Sequence, residues 1–277
     1  DFEETLDASR RFAHERQFQV GVQILRGLIA PKAAASALSD IAEPVISGLL
    51  PRIEADFAAG HGRFGGPVLD VIAMGKLGGR EMTPTSDLDL IFVYDAPEGM
   101  ETSDGPRPLP ASQYFARLSQ RLLNALTALT AEGRLYEVDM RLRPSGNKGP
   151  LAVAFDGFVR YQEREAWTWE HMALTRARPI AGPEQLRARA AAAIRRVLTR
   201  PRDPVRLLKD AAEMRARMAA EHPAGLLWDV KHLGGGLVDV EFVVQCLQLL
   251  NAHAHPEILD PGTAAALEKI AAAGLLA

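Results

Sequence analysis

Two short apolar runs joined by a glycine-rich turn, VLDVIAM (68–74) and DLDLIFVYD (87–95), constrain this chain more than any other feature. Both are too short and too continuously apolar for an amphipathic helix, and both have the pattern of a buried strand. The second run opens with two carboxylates one residue apart, Asp87 and Asp89. Residues i and i+2 of a strand share a face. The two acids therefore project side by side, while Leu88, Leu90 and Phe92 point the other way. A strand built only to fill a core has no use for that edge.

A third run, LYEVDMRLRP (135–144), obeys the same rule. Tyr136, Val138, Met140 and Leu142 take one face, and Glu137, Asp139, Arg141 and Arg143 the other. PSGNKGP is its turn, and LAVAF reads as a fourth strand. Elsewhere apolar residues recur at helical spacing. Helices are predicted over 6–29, ending at Pro31, and over 36–57, where Pro44 and Pro51 delay or bend the helix. HGRFGGP (61–67) is a loop and 112–132 a helix; further helices cover 155–165, 166–178, 184–198, 203–222 and 237–253. Strands thus cluster between 67 and 155 with helices on both sides, an α+β arrangement. The expected divisions are a helical segment (1–64), a catalytic core (65–160) and a C-terminal helical region (161–277).

Bulk properties narrow the functions open to such a core. The net charge of -3 predicts no general attraction to nucleic acid or anionic membrane. No apolar run approaches the roughly 20 residues that span a bilayer. The single cysteine, Cys246, has no intrachain partner, which fits a reducing compartment, and is expected as a small apolar helix residue. The chain opens DFEETLD and stops at LEKIAAAGLLA, and reads as a piece of a longer cytoplasmic protein.

Pairing the acidic strands in one sheet brings Asp139 beside Asp87 and Asp89. Three close carboxylates repel one another and take up protons, unless a divalent cation such as Mg²⁺ removes the conflict. Two such ions clamp the attacking and leaving oxygens of a displacement at phosphorus. Gly78 and Gly79, lacking Cβ, allow backbone N–H groups close to a triphosphate, more so if a helix opens just after them. Lys76 supplies a positive charge, and Arg141 and Arg143 supply guanidinium groups for phosphate. Each element also has a plainer reading: a solvated strand end, a turn, an ion-paired edge. Rival motifs fit less well: there is no GxxxxGK[ST] loop and no GxSxG elbow, and with a single cysteine no cysteine pair is available for zinc.

The order strand, Gly-Gly, Asp-x-Asp, third acid resembles the nucleotidyltransferase superfamily typified by DNA polymerase beta. Four longer blocks, GKLGGREMTPTSDLDLIFVYD, YEVDMRLRPSGNKGPL, YQEREAWTWEHMALTRARPIAG and GGGLVDVEFVVQ, are similar to the bacterial glutamine synthetase adenylyltransferases. The resemblance implies a polymerase-beta-like core and transfer of AMP from ATP to a tyrosine of glutamine synthetase. In that family one half attaches AMP and the other removes it by phosphorolysis; EAWTWEH (165–171) is more similar to the attaching half. Carried over, Asp87, Asp89 and Asp139 hold two Mg²⁺ ions, and Gly78, Gly79 and Ser86 line the nucleotide phosphates. The family's regulators are the PII protein and glutamine. The removing half, or a module that binds without chemistry, are the alternatives.

Two blocks stay open. Trp167 and Trp169 are expected as core anchors with one wet edge, and His171 as a hydrogen-bonded structural residue. Asp239 and Glu241 have a plain role near a helix N-terminus; the functional alternative has Lys231 or Glu241 touching nucleotide or target.

Overall fold

Two long helices open the fold, α1 (Phe2–Leu25) and α2 (Pro31–His61), in a computed structural model that describes residues 2–66, 68–221 and 228–276. Asp1, Pro67, His222 and Ala277, included in expected segments, lie outside the described residues. Pro31 begins α2 rather than closing α1, because a first-turn N–H has no helical partner to lose. Pro44 and Pro51 sit inside α2 without ending it.

By length and composition α2 is apolar enough to cross a membrane, with mean hydropathy 1.2 over its best stretch, contrary to the reading from unbroken apolar runs. Alanines together with isoleucine, leucine and valine keep that average high despite the polar interruptions. Half of the stretch is buried inside the protein. Its face from Leu38 through Leu49 and Ile53 to Phe57 belongs to the main core.

The sheet follows. Strands β1 (Leu69–Ala73) and β2 (Leu88–Tyr94) pair antiparallel, joined through a single helical turn, α3 (Gly75–Gly78). After α4 (Ala111–Thr127) come β3 (Val138–Asp139) and β4 (Ala152–Ala154), both parallel to β2. A strand absent from the sequence reading, β5 (Arg178–Ala181), pairs antiparallel with β1, giving the order β3-β2-β1-β5 with β4 also on β2. The described fold is therefore helix-rich α+β with a small mixed sheet.

Alternation along the strands fills two cores. Val71, Ala73, Leu90 and Phe92 face α1, α2 and α4. Ile72, Met74, Ile91 and Val93 face the later helices: α5 (Phe155–Arg164), α6 (Thr168–Leu174), α7 (Glu184–Leu198), α8 (Pro204–Glu221) and α9 (Leu237–Asn251). Coverage on both faces explains why β1 and β2 read as unbroken apolar runs. A small third cluster joins α9 to α10 (Thr263–Ala272). Cys246 is buried on α9, and burial pushes its thiol up to about 11.

Candidate active site

Asp87 stands just ahead of β2, exposed, and Asp89 one residue inside it, partly buried. The parallel neighbour β3 places Asp139 opposite Asp89 and Val138 opposite Leu88. The Leu88 amide donates to the Glu137 carbonyl at 2.9 Å, which extends this pairing. The third acid thus stands across from Asp89.

Arg141 holds Asp139 by three contacts. Its backbone N–H donates to Oδ1 at 2.8 Å, Nε donates to Oδ2 at 2.7 Å, and Nη2 lies 2.5 Å from Oδ2. Burial pushes the Asp139 carboxyl up, but the Arg141 bonds and the charges of Arg141 and Arg143 outweigh it and hold the group below the usual range. Asp89 goes the other way. Burial first, then the charges of Asp87 and Asp139, lift it to about 6 against the pull of Arg176 and Arg141. The three acids share one electrostatic field, with Arg141 as counter-charge. Among the described residues no three acidic, His or Cys side chains stand together as a preformed group of metal ligands. The Asp139 carboxylate is engaged by Arg141 instead.

The glycines act differently from expectation. Helix α3 opens at Gly75, ahead of the Gly78–Gly79 pair rather than after it. The amides of Gly78 and Gly79 donate inward, to Met74 O at 2.8 Å and Gly75 O at 3.0 Å, so they are not the phosphate donors proposed for them. A Cβ on Gly78 would lie 1.9 Å from the Arg176 carbonyl oxygen, and one on Gly79 would lie 2.7 Å from Arg176 Nη2. The pair makes room for Arg176. The glycine that touches the acids is Gly75, with φ +52° and a would-be Cβ only 2.0 Å from Asp89 Oδ2. Its signal in the sequence was its place directly behind the apolar run VLDVIAM.

Lys76, Ser86, Asp87, Asp139, Arg141 and Lys231 line a polar cleft of about 800 Å³. Ser86 Oγ accepts from the Thr83 amide at 2.9 Å and shapes the turn before Asp87. Arg143 is not part of the cleft. The chain leaves β3 after Asp139, so alternation stops there, and Arg143 Nη1 donates to its own turn at Met140 O, 2.7 Å away. Arg176, buried, pairs with Glu81 at 2.6 Å and Glu241 at 2.9 Å, while Arg178 pairs with Glu43. With Arg141 on Asp139, the cleft cations without an ion-pair partner among the described residues are Lys76 and Lys231.

Of the open residues, Asp239 is structural, bound to Arg215 and to the Gly235 amide at 2.6 Å. Glu241 supports Arg176. His171 bonds Gln162 O at 2.8 Å, and burial together with the Arg202 charge lowers it to about 4, consistent with a neutral structural ring. Of the two tryptophans, Trp167 is no anchor and Trp169 is only partly buried. Trp167 is 67% exposed, and Trp169 lines a second cavity of about 500 Å³ that also touches Asp89 and Asp139.

Comparison with known proteins decides the family. The family model for glutamate-ammonia ligase adenylyltransferase matches residues 1–193, a span that contains all three acids. The chain belongs to this adenylyltransferase family. It is 49% identical over 276 residues to the bifunctional glutamine synthetase adenylyltransferase/adenylyl-removing enzyme of Rhodopseudomonas palustris strain TIE-1, covering 100% of this chain and 28% of that protein. The enzyme of the same name from Xanthobacter autotrophicus strain Py2 is 51% identical over 275 residues, again covering 99% of this chain and 28% of its own length. That from Bradyrhizobium sp. strain BTAi1 is 49% identical over 275 residues, with 99% and 28% covered. The chain thus spans under a third of the length of these adenylyltransferase relatives.

Proposed function

We propose that the chain carries a nucleotidyl-transfer centre that moves AMP from ATP to a tyrosine of glutamine synthetase. The supporting observation is the facing pair Asp89 and Asp139, with Asp87 just ahead, at a cleft that also holds Lys76 and Lys231. Strand, tight turn at Gly75, acidic strand and a third acid on a parallel neighbour follow the order of a polymerase-beta-like core, here over about 65–160 between two helical regions. Carboxylate oxygens are the donors Mg²⁺ prefers, and Asp87, Asp89 and Asp139 would supply them once Asp139 exchanged Arg141 for the ion. Held by Asp87, Asp89 and Asp139, it supplies charge neutralisation and a more acidic acceptor hydroxyl.

The remaining work falls to the chain's own residues. Lys76 and Lys231 draw the polyphosphate into the cleft. Asp139, across from Asp89 at the cleft, accepts the tyrosine proton as the phenolic oxygen bonds the α-phosphorus. The bond from that phosphorus to the bridging oxygen breaks, and pyrophosphate leaves. Positioning and charge neutralisation carry most of the rate.

The relatives' name also includes adenylyl removal, and the same acids serve phosphorolysis of the modified tyrosine. Incubating unmodified glutamine synthetase with ATP, and the adenylylated form with phosphate, separates the two: AMP incorporation supports the first reading, ADP release the second, and neither sinks both. The setting we infer is cytoplasmic, with PII protein and glutamine acting on the longer protein and no nucleic acid or membrane partner.

A further inference from the structure

The cavity beside the acids contains a recognition element that phosphate chemistry leaves unused. Three helices turn a face to it: Trp169 and Met172 from α6, Met214 and Met218 from α8, and Phe242 and Gln245 from α9, each pair three or four residues apart. Thioether and aromatic side chains make polarizable walls suited to a planar ring. Gln245 is the exception among them. It is only 9% exposed, yet its amide has no hydrogen-bond partner among the described residues. Its amide atoms are not among the buried unpartnered ones, so the polar end of this mostly buried side chain stays open to the cavity that it lines.

We propose that this cavity takes the adenine ring of ATP and that Gln245 reads its edge. Gln245 Oε1 accepts from the exocyclic amine while Nε2 donates to the neighbouring ring nitrogen, the pairing by which glutamine recognises adenine in DNA. The assignment rests on the nucleotidyl-transfer reading above. It joins naturally to it, because the apolar cavity and the polar cleft share Asp139, Arg141 and Lys231. One nucleotide then spans both, ring among the methionines and polyphosphate toward the lysines.

The test is calorimetric titration of the chain with Mg²⁺-ATP and with Mg²⁺-tripolyphosphate, for the wild type and Gln245→Leu. The wild type is expected to bind ATP at least about 10-fold more tightly than tripolyphosphate, and Gln245→Leu to weaken ATP alone by about 10-fold. Leucine is of similar size and removes no hydrogen bond of the ligand-free protein among the described residues, so the ligand-free Tm should hold. A second variant, Ala173→Phe, fills the cavity and should erase the preference for ATP. Equal binding of the two ligands, or unchanged ATP affinity in Gln245→Leu, overturns the adenine assignment and leaves nucleotidyl transfer standing. A raised KM for the protein acceptor with ATP affinity unchanged also overturns it, giving the cavity to the target tyrosine. If neither ligand binds, the nucleotidyl-transfer reading itself fails and this assignment goes with it.

Discussion

Asp89 and Asp139 face each other across the parallel β2–β3 pair, yet they sit in opposite electrostatic states. Asp139 is held ionised by Arg141, while burial and its acidic neighbours raise Asp89 to about 6. Replacing Asp89 by Asn removes one of three mutually repelling groups. Asp89→Asn should therefore cut AMP incorporation at least about 10²-fold without lowering the urea midpoint. Wild-type incorporation by a folded variant would show that the acids are not the catalytic set.

Arg141 occupies the electrostatic role that a divalent ion would take. Its own pKa is raised, first by its hydrogen bond to Asp139 and then by the charges of Asp139, Asp89 and Asp87. In Arg141→Gln the acids lose that counter-charge. The nucleotide-free chain should then bind Mn²⁺ several-fold more tightly, read from the free-ion signal in electron paramagnetic resonance. Equal or weaker binding means that Arg141 supports the ion rather than competing with it.

Arg176 ties the turn beneath the acids to the C-terminal helices. It bridges Glu81 and Glu241, and Glu81 in turn accepts from the Thr263 amide at 2.7 Å, at the start of α10. Arg176→Gln leaves two half-buried carboxylates without their cation and should cost about 2–4 kcal/mol in urea unfolding. Gly78→Ala should be comparably damaging, because its methyl group meets the Arg176 carbonyl. A loss below about 0.5 kcal/mol in both would remove Arg176 from this role.

Two buried groups make stability depend on pH in opposite directions. Asp70 on β1 is fully buried, and burial lifts it to about 7 against the pull of Arg187. The folded state binds its proton more tightly than the unfolded chain, so this group's contribution falls as pH rises from about 4 to about 7. Asp70→Asn should thus stabilise the protein at pH 8 by about 1–3 kcal/mol and have little such effect at pH 4. His171, lowered to about 4, is neutral when folded, and its contribution is lost as pH falls from about 6.5 toward 4. His171→Gln should flatten that acid limb. Melting curves of both variants across pH 4–8 check the two signs, and parallel wild-type and variant profiles would contradict them.

Much of this was legible where residues alternate in regular strands. Asp87, Asp89 and Asp139 come to one edge because β2 and β3 obey a two-residue period. The same rule misled at Arg143, since the turn begins directly after Asp139 and alternation has no meaning there. Strand β5 was not legible because it is four residues long, contains Pro179 and owes its conformation to pairing with β1. Gly75 was overlooked beside the more conspicuous Gly78–Gly79, whose role is to admit Arg176, about a hundred residues away in sequence. Trp169 and Gln245 acquire their setting only when α6, α8 and α9 converge, which no local pattern announces.

The central claim is most directly tested by incubating the chain with purified glutamine synthetase, Mg²⁺ and ATP labelled on the α-phosphate, then locating the label by peptide mass spectrometry. The account predicts AMP on a tyrosine of glutamine synthetase, formed with one equivalent of pyrophosphate and lost in Asp87→Asn and Asp89→Asn. Label that persists in both variants, or that never reaches glutamine synthetase while the γ-phosphate is released instead, would contradict it.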